Sequence, residues 1–519
     1  MKSLNTVATT VIVLGAVAAL AMAAQLLTRS QRPNEPSGFL ITPATTFLTE
    51  PLREDGTVDY AAALNAANSR PAASNAAVPL SVVFHYDLPQ QTSELMGRDT
   101  AVDADLPVFV GENNQQLWDK YQTWRQDRAL APLPEFRAVA GQLAQARLRP
   151  WRAAEFPVLH AWLVDMGPAL AAIERASHLD GHWIPASDPI DETPTPNLLR
   201  IRMAGEALQA RAMKRLGEAD PAAALLDLRT MLRLSALVSD HASLIGVLIG
   251  TAVRQMALEA LPQVARHPDL DVDDLAQTQR DLGIDELAAD YVVAVNNERL
   301  VLLPMITGAA IIGEWGTDPF VEEPFIRNLL AASVEIADTV PWTEIATDYN
   351  RHYDLAIEAI RAQTREERLA FEQEAQSVMD GLVAETEGSP LSGLLRVLTL
   401  QSSVADQVVL STINIARANM FRVGRAAAGI RALEELSVLY LDLTIFRQEQ
   451  GFYPSSIEAN GRESTTHRTS YTTAQEPRAV DFALAATLID AVSSPGRSFC
   501  LDATGRFLQA NGAETPLAI

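Results

Sequence analysis

From Pro134 to Gln450, apolar residues recur at intervals of three and four, the period that turns one face of an α-helix toward a core. The clearest stripe is Leu198, Ile201, Ala204, Leu208, Ala212 and Leu216. After a short break, Leu225, Leu228, Leu232, Leu234 and Leu237 form another. Gly217 closes the first of these helices, and Asp220-Pro221 opens the second as N-cap and first-turn proline. Upstream, the pattern predicts a short helix over Asp59–Ser69 and a break over Pro71–Pro79. A helix carrying Leu143, Ala146 and Leu148 stops at Pro150, and one carrying Val158, Trp162, Leu163, Leu170 and Ile173 bends at Pro168. Downstream, helices are predicted over Val272–Leu282, Asp285–Leu303, Pro324–Ile336, Thr343–Ala362 and the charged stretch Arg365–Glu385. Ser389-Pro390 opens a shorter one, and Val404–Gln450 reads as one helix or two, stopped by Gly451-Phe452-Tyr453-Pro454.

Strand signals are few. Leu80–Phe84 and Pro107–Val110 predict short strands, and Ser498–Leu501 with Arg506–Gln509 predict a terminal hairpin around Asp502-Ala503-Thr504-Gly505. The resulting fold class is mainly α, a tetratricopeptide-like or irregular helical array with a small C-terminal β-containing tail. The Gly217-x-x-Asp220-Pro221 hinge between two amphipathic helices is similar to tetratricopeptide packing, although no strict 34-residue repeat emerges.

The N-terminus follows a different pattern. Val7–Leu27 carries no charge and is long enough, at 1.5 Å per residue, to cross a hydrocarbon core of about 30 Å. Lys2 precedes it, and Arg29 and Arg32 follow, so the flanking charges do not orient it. Ala21-Met22-Ala23 also fits a signal-peptidase site that would release a chain starting at Ala24. Two readings stand: an uncleaved anchor, favoured because the apolar run continues through Leu26-Leu27, and a cleaved signal. The first predicts a single-pass protein of a bacterial inner membrane with its body in the periplasm; the second predicts a secreted or periplasmic chain. Leu300–Gly313, interrupted by Pro304 and Gly308, suits a buried or interfacial helix. Ser243–Val253, with Gly246-x-x-x-Gly250, reads as too short to span and suited to close helix contact in a core. The organisation expected is an anchor or signal over 1–29, a linker over 30–58, a helical body over 59–385, long helices over 386–454 and a mixed tail over 455–519.

Composition narrows the function. The 519 residues are 48% hydrophobic, which excludes a disordered chain, and the net charge of -24 argues against a nucleic-acid partner. Cys500 is the only cysteine, so neither an internal disulfide nor a cysteine zinc site is available. Arginine supplies nearly all the positive charge, with lysine only at Lys2, Lys120 and Lys214.

The densest set of metal-ligating types is His178-Leu179-Asp180-Gly181-His182, where Gly181 allows a turn. Around a metal, His178, Asp180 and His182 would suit an envelope hydrolase. The competing reading is a solvated helix end, with His178 favourable against the C-terminal dipole. Cys500, with His467 or Asp502 assisting, has the residue types of a nucleophile, but its setting between Phe499 and Leu501 suits an inert buried thiol. Asn296-Asn297-Glu298-Arg299 interrupts an apolar helix and either lines a cleft or forms a polar stripe. The seven tryptophans all lie between Trp118 and Trp342, as a groove or, more simply, as core. No Gly-x-Ser-x-Gly elbow, Walker loop or dinucleotide fingerprint occurs, and no cofactor is expected.

Val58–Asn65, Asn75–Val78, Gly217–Leu237, Ser243–Leu248 and Phe446–Ile457 together resemble a family of membrane-anchored helical proteins, frequent in planctomycetes and found in other Gram-negative bacteria. The resemblance implies a short N-terminal anchor, an α-helical body and a small β-containing tail, and brings no established activity. Gly451–Pro454 is also similar to the Gly-x-Tyr-Pro turn of type II secretion pseudopilins. The chain departs from that pattern because its apolar segment lies far upstream and lacks a prepilin leader. The expectation is a non-enzymatic, membrane-anchored scaffold that binds a protein partner in the envelope. A metal-dependent hydrolase and a secretion- or pilus-related accessory protein are the alternatives.

Overall fold

The computed structural model describes residues 39–86, 88–97, 106–110, 115–187, 198–240, 244–282, 287–311, 342–362, 365–388, 430, 433–451, 468–473, 482–487, 497–502 and 507–511. The N-terminal segment Val7–Leu27, the linker from Ser30 to Ser37, the Pro324–Ile336 helix, the Ser389-Pro390 start and Phe452–Pro454 lie outside these residues. The described chain is mainly helical.

Two compact units share the described residues. One draws them from Met1–Tyr60, Val301–Arg351 and Val378–Ile413. Its first helix, α1 (Pro43–Thr46), is closed by a capping box in which Thr42 and Thr45 satisfy each other's backbone N–H. The buried Tyr60 hydroxyl donates to the Thr46 carbonyl at 2.9 Å, and Asn350 Nδ2 donates to the Ala44 carbonyl at 2.9 Å.

The other unit takes its residues from Ala61–Leu300, His352–Ser377 and Asn414–Ile519. After α2 (Tyr60–Asn68) and a 3-10 turn at Ala72–Ser74 come α3 (Ala77–Val83), α4 (Gln90–Leu95), α5 (Gln115–Asp127), α6 (Phe136–Ala146), α7 (Pro157–Asp165) and α8 (Gly167–Ala176). Leu80–Phe84, expected as a strand, is therefore helical. Ala77, Leu80, Ser81 and Phe84 bury at helical spacing, and Pro79 falls in the first turn, where a missing N–H costs nothing. Val108, Phe109 and Val110, also expected in a strand, are buried without a ladder; Phe109 packs on Phe84 and Trp162 at ring separations of 5.9 and 6.4 Å. The bend expected at Pro168 is a break at Met166, with Pro168 in the first turn of α8.

The centre of this unit is α9 (Leu198–Gly217), α10 (Pro221–Ser239) and α11 (Leu244–Ala265), packed on one another. Asp220 caps α10 by accepting from the Ala223 N–H at 3.1 Å, and Pro221 follows in the first turn. The left-handed residue of the hinge is Ala219, at φ 62°, not Gly217. Gly217 is needed for space, because a Cβ there would lie 2.6 Å from the Trp151 nitrogen. Trp151 in turn donates its indole N–H to the Ala210 carbonyl at 3.0 Å.

α11 corrects the expectation that Ser243–Val253 is too short to span. The helix runs on through Arg254 to Ala265, and by length and composition it is the one helix among the described residues able to cross a membrane. Two thirds of that apolar window is buried inside the fold. Gly250 allows its close approach to α10: a Cβ there would stand 2.7 Å from the Ser235 carbonyl.

Beyond lie α12 (Val272–Asp281), α13 (Leu287–Ile311), α14 (Trp342–Arg361), α15 (Arg365–Gly388) and a helix over 433–450. α2, α13, α14 and α15 each contribute residues to both units. The 433–450 helix ends at Gly451, whose φ of 82° suits glycine alone among common residues. Strands β1 (Arg468–Thr473), β2 (Phe482–Thr487), β3 (Arg497–Asp502) and β4 (Phe507–Asn511) pair antiparallel in sequence order.

Candidate functional site

The run from His178 to Ala186 leaves the end of α8 and is pinned to residues far away in sequence. The Gly181 carbonyl accepts from the Ala76 N–H at 2.8 Å. Asn75 holds Trp183 in both directions: its Nδ2 donates to the Trp183 carbonyl, and its Oδ1 accepts from the Trp183 N–H, each at 2.9 Å. Asn65 repeats the device on Ala186, donating at 2.9 Å and accepting at 2.8 Å. A side-chain amide used this way imitates a neighbouring strand. Asp240, at the end of α10, pairs with Arg70 at 3.0 Å and accepts from the His182 N–H at 3.4 Å. Gly181 lies against that ion pair, and a Cβ on it would come within 2.6 Å of Asp240 Oδ2.

The pinning separates the three expected metal ligands. His178 and Asp180 are exposed, whereas His182 is buried at 7% exposure. His178 lies beside the Arg233 guanidinium, whose Nη1 is 3.0 Å from its Nε2. The His182 ring sits edge-on to Tyr86 with centroids 6.3 Å apart. Neither His182 Nε2 nor the Tyr86 hydroxyl has a hydrogen-bond partner among the described residues. Burial pushes His182 down to about 4 and the Tyr86 hydroxyl well above the usual phenol range. The structure does not bring His178, Asp180 and His182 together, and no group of three or more His, Cys, Asp or Glu suited to a metal occurs among the described residues.

Other charged side chains tie helices to one another. Asp227 on α10 accepts from Arg211 of α9 at 2.6 Å and from Arg215 at 2.9 Å. Burial pushes its carboxyl up against the pull of those two guanidiniums. One helical turn apart on α10, Arg229 and Arg233 meet Asp281 of α12 at 2.7 and 3.0 Å. Asp165 receives Arg125 and the Tyr121 hydroxyl in a buried cluster beside Trp118 and Trp124. Arg254 of α11 pairs with Glu434, both buried.

Asn296-Asn297-Glu298-Arg299 lies on α13. Arg299 is almost fully buried, bonds Asp354 and lies over the Tyr353 ring at 5.5 Å. The Glu298 carboxylate accepts from the Leu244 N–H at the start of α11, and burial pushes it up. Trp118, Trp151, Trp162 and Trp183 are buried and serve the core, and Trp124 is half-buried; Trp315 lies outside the described residues. Cys500 stands in β3 between Ala485 and Leu508, and Asp502 opposite Ala483; His467 lies outside the described residues.

The pattern of single residues gave no sign of Asn65, Arg70, Asn75 and Asp240 as pins. Their partners lie up to 170 positions away, and local periodicity carries no information at that range. The arginine pairs were more accessible: Arg211 with Arg215, and Arg229 with Arg233, share helix faces by their spacing of four. No family model, curated protein or solved structure matches the chain.

Proposed function

We propose that this chain is a membrane-anchored scaffold of the bacterial cell envelope, a non-enzymatic helical body that binds a protein partner. The observation that carries the reading is how the helical body spends its polar side chains. Asp165, Asp227, Asp281 and Glu434 each bind an arginine of another helix, and Asn65, Asn75 and Asp240 hold backbone. Groups committed in this way order a framework rather than a reacting centre, and stacked helices of this kind offer extended binding faces.

In this reading Val7–Leu27 is the anchor, the body occupies the periplasm, and the α9–α10 hinge belongs to a tetratricopeptide-like array ending in a small β-containing tail. The resemblance to the membrane-anchored planctomycete family supports the same arrangement. The test is purification of the tagged full-length chain from gently solubilised membranes, with mass spectrometry of the co-eluting proteins and reconstitution from purified components. One partner at near-equal stoichiometry that rebinds the purified chain is the expected result. A chain recovered alone, or one whose co-eluting proteins fail to rebind, overturns the proposal.

A further inference from the structure

The Gly181–Ala186 run has a histidine at its centre whose burial depends on its being neutral. Five of its attachments are hydrogen bonds to single side chains, two from Asn75, two from Asn65 and one from Asp240, and a sixth comes from the Ala76 backbone. Beyond an isolated bridge between Asn75 and Gly181, no helix or sheet ladder among the described residues reinforces them. His182 lies between the Gly181 and Trp183 attachments, with its ring enclosed and its Nε2 lacking a hydrogen-bond partner among the described residues.

We propose that this run is an acid-released clasp, in which protonation of His182 frees Gly181–Ala186 from Asn65 and Asn75. Loss of water around the ring disfavours an imidazolium in the closed form, against the pull of a hydrogen bond to the His182 backbone, and the polar groups nearby do not replace that water. From the end of α3 comes Tyr86, a neutral hydroxyl. From the end of α10 comes Asp240, which already accepts from Arg70 and from the His182 backbone. Arg70 adds a positive charge beside Gly181, and Arg200 of α9 adds another at the carbonyls of Phe84 and His85. His85, His178 and Asp180 are exposed. A proton on His182 therefore loses its water with no hydrogen-bond partner at Nε2 among the described residues, and its escape is to water through opening of the run.

The size of the effect follows from linkage. His182 binds its proton near the ordinary 6.5 when the run is open and at about 4 when it is closed. Opening is then favoured about 30-fold more at pH 5 than at pH 7.5. The inference does not depend on the scaffold reading.

Hydrogen exchange of the full-length chain tests it, with rates corrected for the intrinsic effect of pH. In the wild type, protection of peptides covering residues 181–187 and 72–80 falls about 30-fold from pH 7.5 to pH 5, while α9 and α10 keep theirs. In His182→Gln, which has no titrating nitrogen, protection of the same peptides holds across that range. If the Gln variant does not fold, His182→Phe keeps a flat ring and serves the same comparison. A fall of equal size in the non-titrating variant overturns the proposal, as does unchanged protection in the wild type or a loss spread over the whole chain.

Discussion

Asp227 keeps only 1% of its side chain exposed and receives both Arg211 and Arg215, so removing it deprives two guanidiniums of their shared carboxylate. Breaking a buried pair from one side costs about 3–5 kcal/mol. The arginines retain 14% and 26% exposure and recover some hydration, which places Asp227→Ala near the lower end, at about 3 kcal/mol. A lowered urea midpoint measures it, and an unchanged midpoint would show that the pair contributes nothing net. Burial raises the pKa of Glu298 as it does that of Asp227, but at Glu298 the opposing pull comes from the Leu244 N–H where Asp227 has two guanidiniums. A carboxyl raised in this way contributes stability below its unfolded pKa, and that stability is lost as pH rises. Glu298→Gln keeps an oxygen for the Leu244 N–H and removes the charge. The variant should therefore melt above the wild type at pH 7.5, with the gain disappearing at pH 4. A variant less stable at neutral pH would show that the ionised carboxylate is needed where it stands.

The three central helices show how far an element can be read from its own residues. The limits of α9 and α10, with Asp220 as cap and Pro221 behind it, follow from spacing and local chemistry, because helix formation is decided within a few residues. What Gly217 and Gly250 do is not local. Each is set by an element arriving from elsewhere, Trp151 in one case and α10 in the other. The expected strand at Leu80–Phe84 fails for a related reason: β-branched and aromatic residues suit either element, and the buried side decides. This separation of local from distant causes predicts opposite signs for one substitution. Gly217→Ala and Gly250→Ala push a methyl into backbone and should destabilise by about 1–3 kcal/mol. Gly141→Ala, in the exposed interior of α6 with nothing within 4 Å of its Cβ, should stabilise by up to about 1 kcal/mol. Thermal melts of the three variants check the signs, and a loss at Gly141 would remove the packing explanation for the other two.

At the scale of the whole chain, two apolar segments compete for a membrane, and the packing of one bears on the other. α11 passes the test of length and composition, yet two thirds of its window faces protein. Gly250 closes against α10, Thr251 shares a 2.6 Å hydrogen bond with Tyr291, and Arg254 pairs with Glu434. In lipid the Arg254 charge would cost several kcal/mol unless Glu434 travelled with it, and α10 would lose the surface it buries. A helix held on these sides by its own fold is not free to cross a bilayer at the same time. Membrane attachment is then expected to rest on Val7–Leu27, whose uncharged run needs no partner from the fold. Deleting residues 7–27 should move the chain from the membrane pellet to the supernatant after alkaline carbonate extraction, with its helical circular-dichroism signal and melting midpoint retained. If the deleted chain stays in the pellet and remains folded, α11 is the membrane element, and the packing around Arg254 describes a form of the protein that insertion must undo.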